Sequence, residues 1–228
     1  GGSTPPSRIM QQSKYNIRLV DGFKIRNTLD DDFGIVERRS IHPASDYPKF
    51  WIPDNEVWVD HCYRDEAEFL NEMDVFTYPT ETESYSERRA LAKKKFCTPT
   101  PGYDYVVRTE NKSGLKVQYV DGGKIRRYFD PEFTLGGHGY VYDYIPKDEI
   151  WLDHKMDPLE IPYIYHHEEL ERKLMLKGKP YHIAHEYATV ADKELRRQDG
   201  FGCYPGDPNY TWWNLDDEEI IKQYYVGQ

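Results

Sequence analysis

The sequence repeats itself, and this repeat constrains the fold more than any other feature. The segment VDGFKIRNTLDDDF at residues 20–33 matches VDGGKIRRYFDPEF at residues 120–133, 100 residues later. The segment IPDNEVWVDH at residues 52–61 matches IPKDEIWLDH at residues 145–154, 93 residues later. Two matching blocks in the same order and at nearly the same separation indicate a tandem duplication, with a longer loop in the first copy.

Each copy is predicted to be a small α+β module. Alternating apolar and polar residues at 15–25 and 103–125 indicate β-strands of an antiparallel sheet, with the Asp-Gly pairs as hairpin turns. The runs EVWVD and EIWLD indicate one further short strand in each module. Because side chains alternate along a strand, the tryptophan of each run should face away from its aliphatic neighbours.

A helical hairpin is expected after the strands of the second module. Residues 163–177 and 180–197 show helical periodicity, and a Gly-Lys-Pro turn separates them. A poorer hairpin is expected in the first module, at residues 65–73 and 85–95. The fold class is therefore predicted to be α+β, a duplicated small antiparallel sheet with a helical hairpin.

Composition and the repeat divide the chain into five parts. They are a flexible N-terminal segment at 1–14, a degenerate first module at 15–97, a linker at 98–102, a second module at 103–199 and an aromatic tail at 200–228. The tail contains Trp212 and Trp213, which should dock on the body or on a partner, because two exposed indoles would form an apolar patch. A last short helix is expected at 216–225.

The second module carries histidines that the first lacks. His167 and Glu171 lie one helical turn apart, and His185 lies level with Glu171 across the predicted antiparallel pair. These three side chains are therefore predicted to converge, and imidazoles with a carboxylate can ligate a divalent metal. Since the first module has no counterpart of either histidine, the fold does not require them. The residues predicted to orient the imidazoles are Glu194, Asp153 and His154.

The run HEELE at residues 167–171 resembles the H-E-x-x-H helix of zinc metallopeptidases, with Glu171 in place of the second histidine. The resemblance implies that His167 and Glu171 bind the metal and that Glu168 is the general base, with His185 as the third ligand. The carboxylate ligand makes manganese or iron as suitable as zinc. A wider pattern over residues 167–197, H-E-x-x-E-R-x-L-M followed by G-x-x-Y-x-x-A-H, resembles small uncharacterised proteins of bacteria and their viruses.

Simpler interpretations of the same residues remain open. His167 lies on an apolar stripe and could be a core histidine, and the glutamates around it could form only a charged helix face. His138, in the sequence GGHG, could be a fourth ligand in a flexible loop or part of a plain glycine-rich turn. His154 recurs as His61 in the first module, which favours a structural role for it.

Charge and composition exclude several classes of partner. A net charge of −10 and a pI near 5.3 argue against nucleic acid, whose phosphates require a basic face. We expect no membrane span and no secretion signal, because the sequence contains neither pattern. Three cysteines without C-x-x-C spacing indicate a reducing compartment, hence a cytoplasmic or virion location.

Three functions are compatible with these features. The first is a metal-dependent hydrolase, peptidase-like, that uses Glu168 as base. The alternative is a non-catalytic viral or phage structural or assembly protein, possessing a duplicated module and forming an oligomer or binding a protein partner through its aromatic tail. The third is a small binding or inhibitor protein whose acidic surface docks a basic partner.

Overall fold

A computed structural model describes residues 15–39, 51–77, 84–98, 102, 104–202 and 218–227. The fold is α+β, as predicted. The strands are β1 (Asn16–Val20), β2 (Val36–Arg38), β3 (Glu56–Asp60), β4 (Val106–Lys112), β5 (Leu115–Val120), β6 (Gly136–His138) and β7 (Glu149–Asp153). The helices are α1 (Gly22–Thr28), α2 (Ala67–Thr77), α3 (Tyr85–Phe96), α4 (Gly122–Tyr128), α5 (Ile161–Leu176), α6 (Tyr181–Gln198) and α7 (Glu218–Lys222), with a 3-10 helix at His61–Glu66 before α2.

Both sheets are mixed, so the predicted antiparallel sheets are wrong. The first sheet has the order β1-β3-β2, and the second has the order β4-β5-β7-β6. In the first sheet β1 is parallel to β3, and in the second sheet β5 is parallel to β7. The short strands β2 and β6 run antiparallel to β3 and β7. Three strands of the second sheet therefore have the same order and directions as the first sheet.

The predicted hairpin turns at the two Asp-Gly pairs are also wrong, because both pairs begin helices. The side chain of Asp21 accepts a hydrogen bond from the backbone N–H of Lys24 at 2.9 Å. Asp121 accepts the equivalent bond from Lys124 at 3.2 Å. An aspartate in this position caps a helix N-terminus by binding a backbone N–H that has no partner within the helix. The chain then returns through a helix and a short strand, which allows the parallel pairing.

A buried arginine on each short helix binds the carboxylate at the end of the parallel strand. Arg26 of α1 donates to Asp60 Oδ2 at 2.9 Å, and Arg126 of α4 donates to Asp153 Oδ2 at 3.1 Å. A Cβ atom on Gly22 would lie only 1.9 Å from Asp60 Oδ2. The glycine after each capping aspartate is therefore needed for the close approach of a carboxylate.

The same arginines also bind across the two modules. Arg26 Nε donates to Glu160 Oε1 at 2.6 Å, and Arg126 Nη2 donates to Glu66 Oε1 at 3.0 Å. Glu66 directly precedes α2, and Glu160 directly precedes α5. Each module thus supplies the carboxylate that neutralises the buried arginine of the other, which joins the two modules by a reciprocal pair of ion bridges.

The two sheets share one apolar core. Val59 of β3 lies in the same buried cluster as Ile150 and Leu152 of β7. Trp58 and Trp151 lie in two separate clusters. Since successive side chains of a strand point to opposite faces, the tryptophans face away from the shared core, as the sequence predicts.

The C-terminal residues complete the first sheet. The carbonyl oxygen of Tyr224 accepts the backbone N–H of Asp21 at 2.8 Å. In the second sheet the carbonyl oxygen of Tyr105, which directly precedes β4, accepts the N–H of Asp121 at 2.7 Å. The residues that follow α7 therefore lie beside the end of β1. In the second sheet, the start of β4 lies beside the end of β5 in the same way. The short helix expected at 216–225 is α7.

Several predicted features lie outside the described residues. They are the N-terminal segment 1–14, most of the linker 98–102, Cys203, and Trp212 with Trp213. Cys62 and Cys97 are both free, half-buried thiols. In the described part of the chain, no helix has the length and apolar character needed to cross a membrane.

Candidate metal centre

The site lies on the hairpin formed by α5 and α6, whose bounds differ by only one or two residues from those predicted. Gly178, with φ of 86°, follows the end of α5 in the left-handed conformation that favours glycine. On α6 the side chains of Ala184 and Ala188 are fully buried. Because these side chains are small, the backbones of the two helices can approach closely.

His167, Glu171 and His185 converge between the two helices, as the sequence predicts. His185 Nδ1 lies 2.8 Å from Glu171 Oε2 and 3.2 Å from His167 Nε2. The distance from His167 Nε2 to Glu171 Oε2 is 3.6 Å. Ligand atoms that share one ion at about 2.0–2.2 Å are roughly 3–4 Å apart. The three side chains therefore form a group with the spacing needed to hold a metal ion.

The three side chains differ in their exposure to solvent. The side chain of Glu171 is 4% exposed, that of His167 is 15% exposed and that of His185 is 39% exposed. The carboxylate thus lies at the base of the group and one imidazole at its rim. An ion held here would be reached from the side of His185.

Electrostatics favours an ionised Glu171. Burial would raise the pKa of its carboxyl group, but hydrogen bonds with His138 and His185 and the nearby imidazole of His167 together lower that pKa below its usual range. The hydrogen bond with Glu171 in turn raises the pKa of His185, against the opposing effect of burial. The group is therefore an anionic carboxylate surrounded by imidazoles.

Glu168 is a second carboxylate beside this group. Its carboxyl oxygen lies within 4.8 Å of ligand atoms of His138 and Glu171. Burial raises the pKa of Glu168 well above its usual range, and the charge on Glu171 raises it further. The two carboxyl groups are thus distinct, because the pKa of Glu171 is lowered and that of Glu168 is raised. A cation bound nearby would favour the ionised form of Glu168.

His138 is part of the site, and the interpretation of its segment as a flexible loop or plain turn is wrong. It ends the strand β6 and is fully buried, with Nε2 at 3.0 Å from Glu171 Oε1. A Cβ atom on Gly136 would lie 2.9 Å from the Ile164 side chain of α5. The glycine therefore lets β6 pack directly on the helix that carries the candidate ligands. A histidine flanked by glycines was the signal for this contact in the sequence.

The residues predicted to orient the imidazoles lie elsewhere, so that prediction is wrong. Glu194 is exposed on α6, and Asp153 binds the arginine of α4. His154 Nδ1 contacts the carbonyl oxygen of Val120 at 3.0 Å, and His61 makes the same contact in the first module. These two histidines therefore have the same structural role in both modules.

The first module has an ion pair in the place of this cluster. Arg38 ends β2 opposite Val57, just as His138 ends β6 opposite Ile150. Arg38 and His138 are 100 residues apart and Val57 and Ile150 are 93 residues apart, which are the offsets of the two matching sequence blocks. Arg38 Nε lies 3.1 Å from a carboxylate oxygen of Asp74 on α2. The equivalent strand end in the first module is therefore occupied by a guanidinium, which cannot ligate a metal.

A third group with metal-holding spacing occurs at Asp60, His61 and Cys62. Both oxygens of Asp60 are already engaged, Oδ2 by Arg26 and Oδ1 by the backbone N–H of Cys62. Burial, followed by the charge of Asp60, raises the pKa of the Cys62 thiol to about 12. This group is therefore a poor metal site.

Comparison of the chain with protein-family models, curated proteins and solved structures finds no significant match. The feature of the molecule that bears on its function is therefore the chemistry of the cluster on α5, α6 and β6.

Proposed function

We propose that the protein is a metal-dependent hydrolase in which His167, Glu171 and His185 hold one divalent ion and Glu168 is the general base. The observation that carries this proposal is the convergence of three ligand atoms, 2.8–3.6 Å apart, beside a second carboxyl group. A charged helix face alone would not require two imidazoles and a buried carboxylate from two helices to meet at one point.

The donor set supports a catalytic type of site. Two imidazoles and one carboxylate are the ligands of several catalytic zinc sites, which keep a fourth position for water or substrate. The partial exposure of His185 supports access to such a position. Imidazole with carboxylate also suits iron and manganese, so we propose zinc, manganese or iron as the ion.

The chemistry we propose is addition of water to an amide or ester carbonyl. A divalent ion in this site supplies Lewis acidity, which polarises a carbonyl and lowers the pKa of water. The carboxylate of Glu168 accepts a proton from the attacking water as the new C–O bond forms. Glu168 then returns that proton to the leaving amine or alcohol as the old bond breaks, so that it ends ionised.

The test combines metal analysis with a pair of adjacent variants. In Glu168→Gln, bound zinc measured by elemental analysis should persist, while cleavage of a quenched-fluorescent peptide library should fall by about 10²–10⁴-fold. The matched control is Glu169→Gln, because Glu169 binds Tyr165 and Lys173 and is not a member of the cluster. Absence of metal binding by the wild type, or full activity of Glu168→Gln, would refute the proposal.

A structural role for the ion is the second candidate. It is favoured by the fact that the ligands come from both helices, so that an ion would fasten α5 to α6. In an assembly protein of this kind, zinc would raise the melting temperature of wild type and Glu168→Gln equally, and neither would cleave the peptide library.

We also propose that the two modules arose by tandem duplication. The shared strand order, the paired helix caps and the reciprocal arginine bridges support this origin. An experimental structure in which residues 20–33 and 120–133 differ in secondary structure would contradict it.

A further inference from the structure

His138 has both ring nitrogens engaged, and this determines where its proton lies. Its Nδ1 lies 3.2 Å from the backbone nitrogen of Tyr140, which can only donate a hydrogen bond. Nδ1 must therefore present a lone pair and carry no proton. In a neutral imidazole the other nitrogen then bears the hydrogen, so Nε2 is an N–H donor.

That donor points at the central carboxylate of the site. Nε2 lies 3.0 Å from Glu171 Oε1, while the other oxygen, Oε2, faces His185 and His167. A nitrogen that carries a hydrogen has no lone pair for a metal ion. His138 therefore has the wrong tautomer for a ligand, even though its ring is close enough to the cluster to be one.

We infer that His138 is a positioning residue: its Nε2–H fixes Glu171 Oε1 and so aims Oε2 at the ion. This inference rests on the proposed metal site. It assigns Glu171 as a ligand through one oxygen only, and it makes β6 the support of that ligand. Hydrogen bonds of this kind to ligating carboxylates and imidazoles typically change metal affinity 10–100-fold when they are removed.

The surroundings of His138 are built for this contact. The ring is fully buried at the end of β6, and Gly136 allows the strand to lie against α5 at Ile164. In the first module the equivalent strand end carries Arg38, which also binds a carboxylate on the helix packed against it. Both modules thus place a hydrogen-bond donor at this point, but only the second module directs it at a candidate metal ligand.

The test uses the full-length protein titrated with Co²⁺, whose visible spectrum reports the ligand set. His138→Leu removes the donor and should weaken Co²⁺ binding about 10–100-fold. His138→Gln keeps an N–H₂ donor near the position of Nε2 and should restore most of the affinity. The visible Co²⁺ spectrum of His138→Gln should match that of the wild type. His182→Leu, a change at an exposed histidine of α6, is the matched control.

A second measurement needs no substitution and so does not depend on whether a variant folds. In wild-type protein labelled with ¹⁵N-histidine, NMR of the ring nitrogens should show that the fully buried imidazole of His138 keeps its Nε2–H when Zn²⁺ is added. The rings of His167 and His185 should change on the same addition.

The possible outcomes separate the inference from the proposed function. If the wild type binds metal but His138→Leu binds it equally well, or if His138 loses its Nε2 proton when Zn²⁺ binds, the inference is overturned and the metal site stands. If the wild type binds neither Co²⁺ nor Zn²⁺, the proposed function and this inference both fail. A weakened His138→Leu with an unchanged spectrum in His138→Gln supports the inference.

Discussion

Replacing Glu160 by glutamine should destabilise the protein strongly, because this carboxylate joins two buried guanidinium groups. Glu160 is fully buried, and its two oxygens accept from Arg26 Nε at 2.6 Å and from Arg196 Nη2 at 2.7 Å. Glutamine has nearly the same shape, but it is neutral and turns one acceptor into an N–H₂ donor. That donor would then face a guanidinium that can only donate.

The expected loss follows from the burial of all three groups. Breaking a buried ion pair by removal of one partner costs about 3–5 kcal/mol, because the remaining charge is left uncompensated. Arg26 keeps Asp60 and Arg196 keeps Asp192, so we expect a value near the lower limit, about 3 kcal/mol. For a chain of this size that loss corresponds to a fall in melting temperature of about 6–12 °C.

The assay is urea unfolding followed by tryptophan fluorescence, with two control variants. Glu66→Gln removes the reciprocal bridge to the buried Arg126, which keeps Asp153, and the other partners of Glu66, Arg127 and Lys155, are 42% and 23% exposed and can turn to solvent. A smaller loss of about 1.5–3 kcal/mol is expected there. Glu72→Gln removes an exposed pair with Lys95 and should cost under about 1 kcal/mol. A loss for Glu160→Gln no larger than that for Glu72→Gln would refute the reasoning.

Three further predictions concern the site, the pH dependence and the packing. Zinc at 100 times its dissociation constant should stabilise the wild type by about 2.7 kcal/mol, and His185→Ala should lose most of that gain in thermal melts with and without zinc. The pKa of Glu66 is lowered to about 2, since its cationic partners, chiefly the buried arginine of α4, outweigh the effect of burial. The stabilisation by ionised Glu66 is therefore present above pH 4.5 and is lost as the pH falls towards 2. The free energy of unfolding of Glu66→Gln, measured with urea between pH 5 and 2, should therefore fall less steeply with decreasing pH than that of the wild type. Gly122→Ala should cost about 1–3 kcal/mol in thermal unfolding, because the new Cβ would lie 1.8 Å from Asp153 Oδ2. Gly34→Ala is the control and should cost less than half as much, because the nearest atom to its new Cβ would be 3.7 Å away.

The parts of the site that the sequence predicted are those that depend on short-range geometry. His167 and Glu171 share a helix, and the turn after α5 determines which residue of α6 lies level with them. Helical periodicity and a single Gly-Lys-Pro turn are therefore enough to bring His185 to the same point. His138 could not be placed in this way, because its contact with Glu171 spans 33 residues and depends on the sheet register.

The errors in the fold have a related cause. An Asp-Gly pair caps a helix as readily as it turns a hairpin, and the choice depends on whether the next strand is parallel. The parallel pairing of β1 with β3 is accompanied by the buried bridge from Arg26 to Asp60, which no local pattern shows. That arginine and that aspartate recur as Arg126 and Asp153 in the matching segments 120–133 and 145–154, and this recurrence of charged residues was the signal present in the sequence.

The position of the C-terminal residues beside β1 affects the order in which the protein can fold during synthesis. Lys24 Nζ donates to the carbonyl oxygen of Gln223, which lies 199 residues later in the chain. At about 5–20 residues per second, a ribosome needs roughly 10–40 s to make that length. In the second sheet, by contrast, β4 immediately precedes β5 and can pair with it as a local hairpin. Among the described residues, the edge of β1 in the module translated first therefore gains this partner only after residues 224–226 have been made, whereas the second sheet can form as soon as β7 has been made.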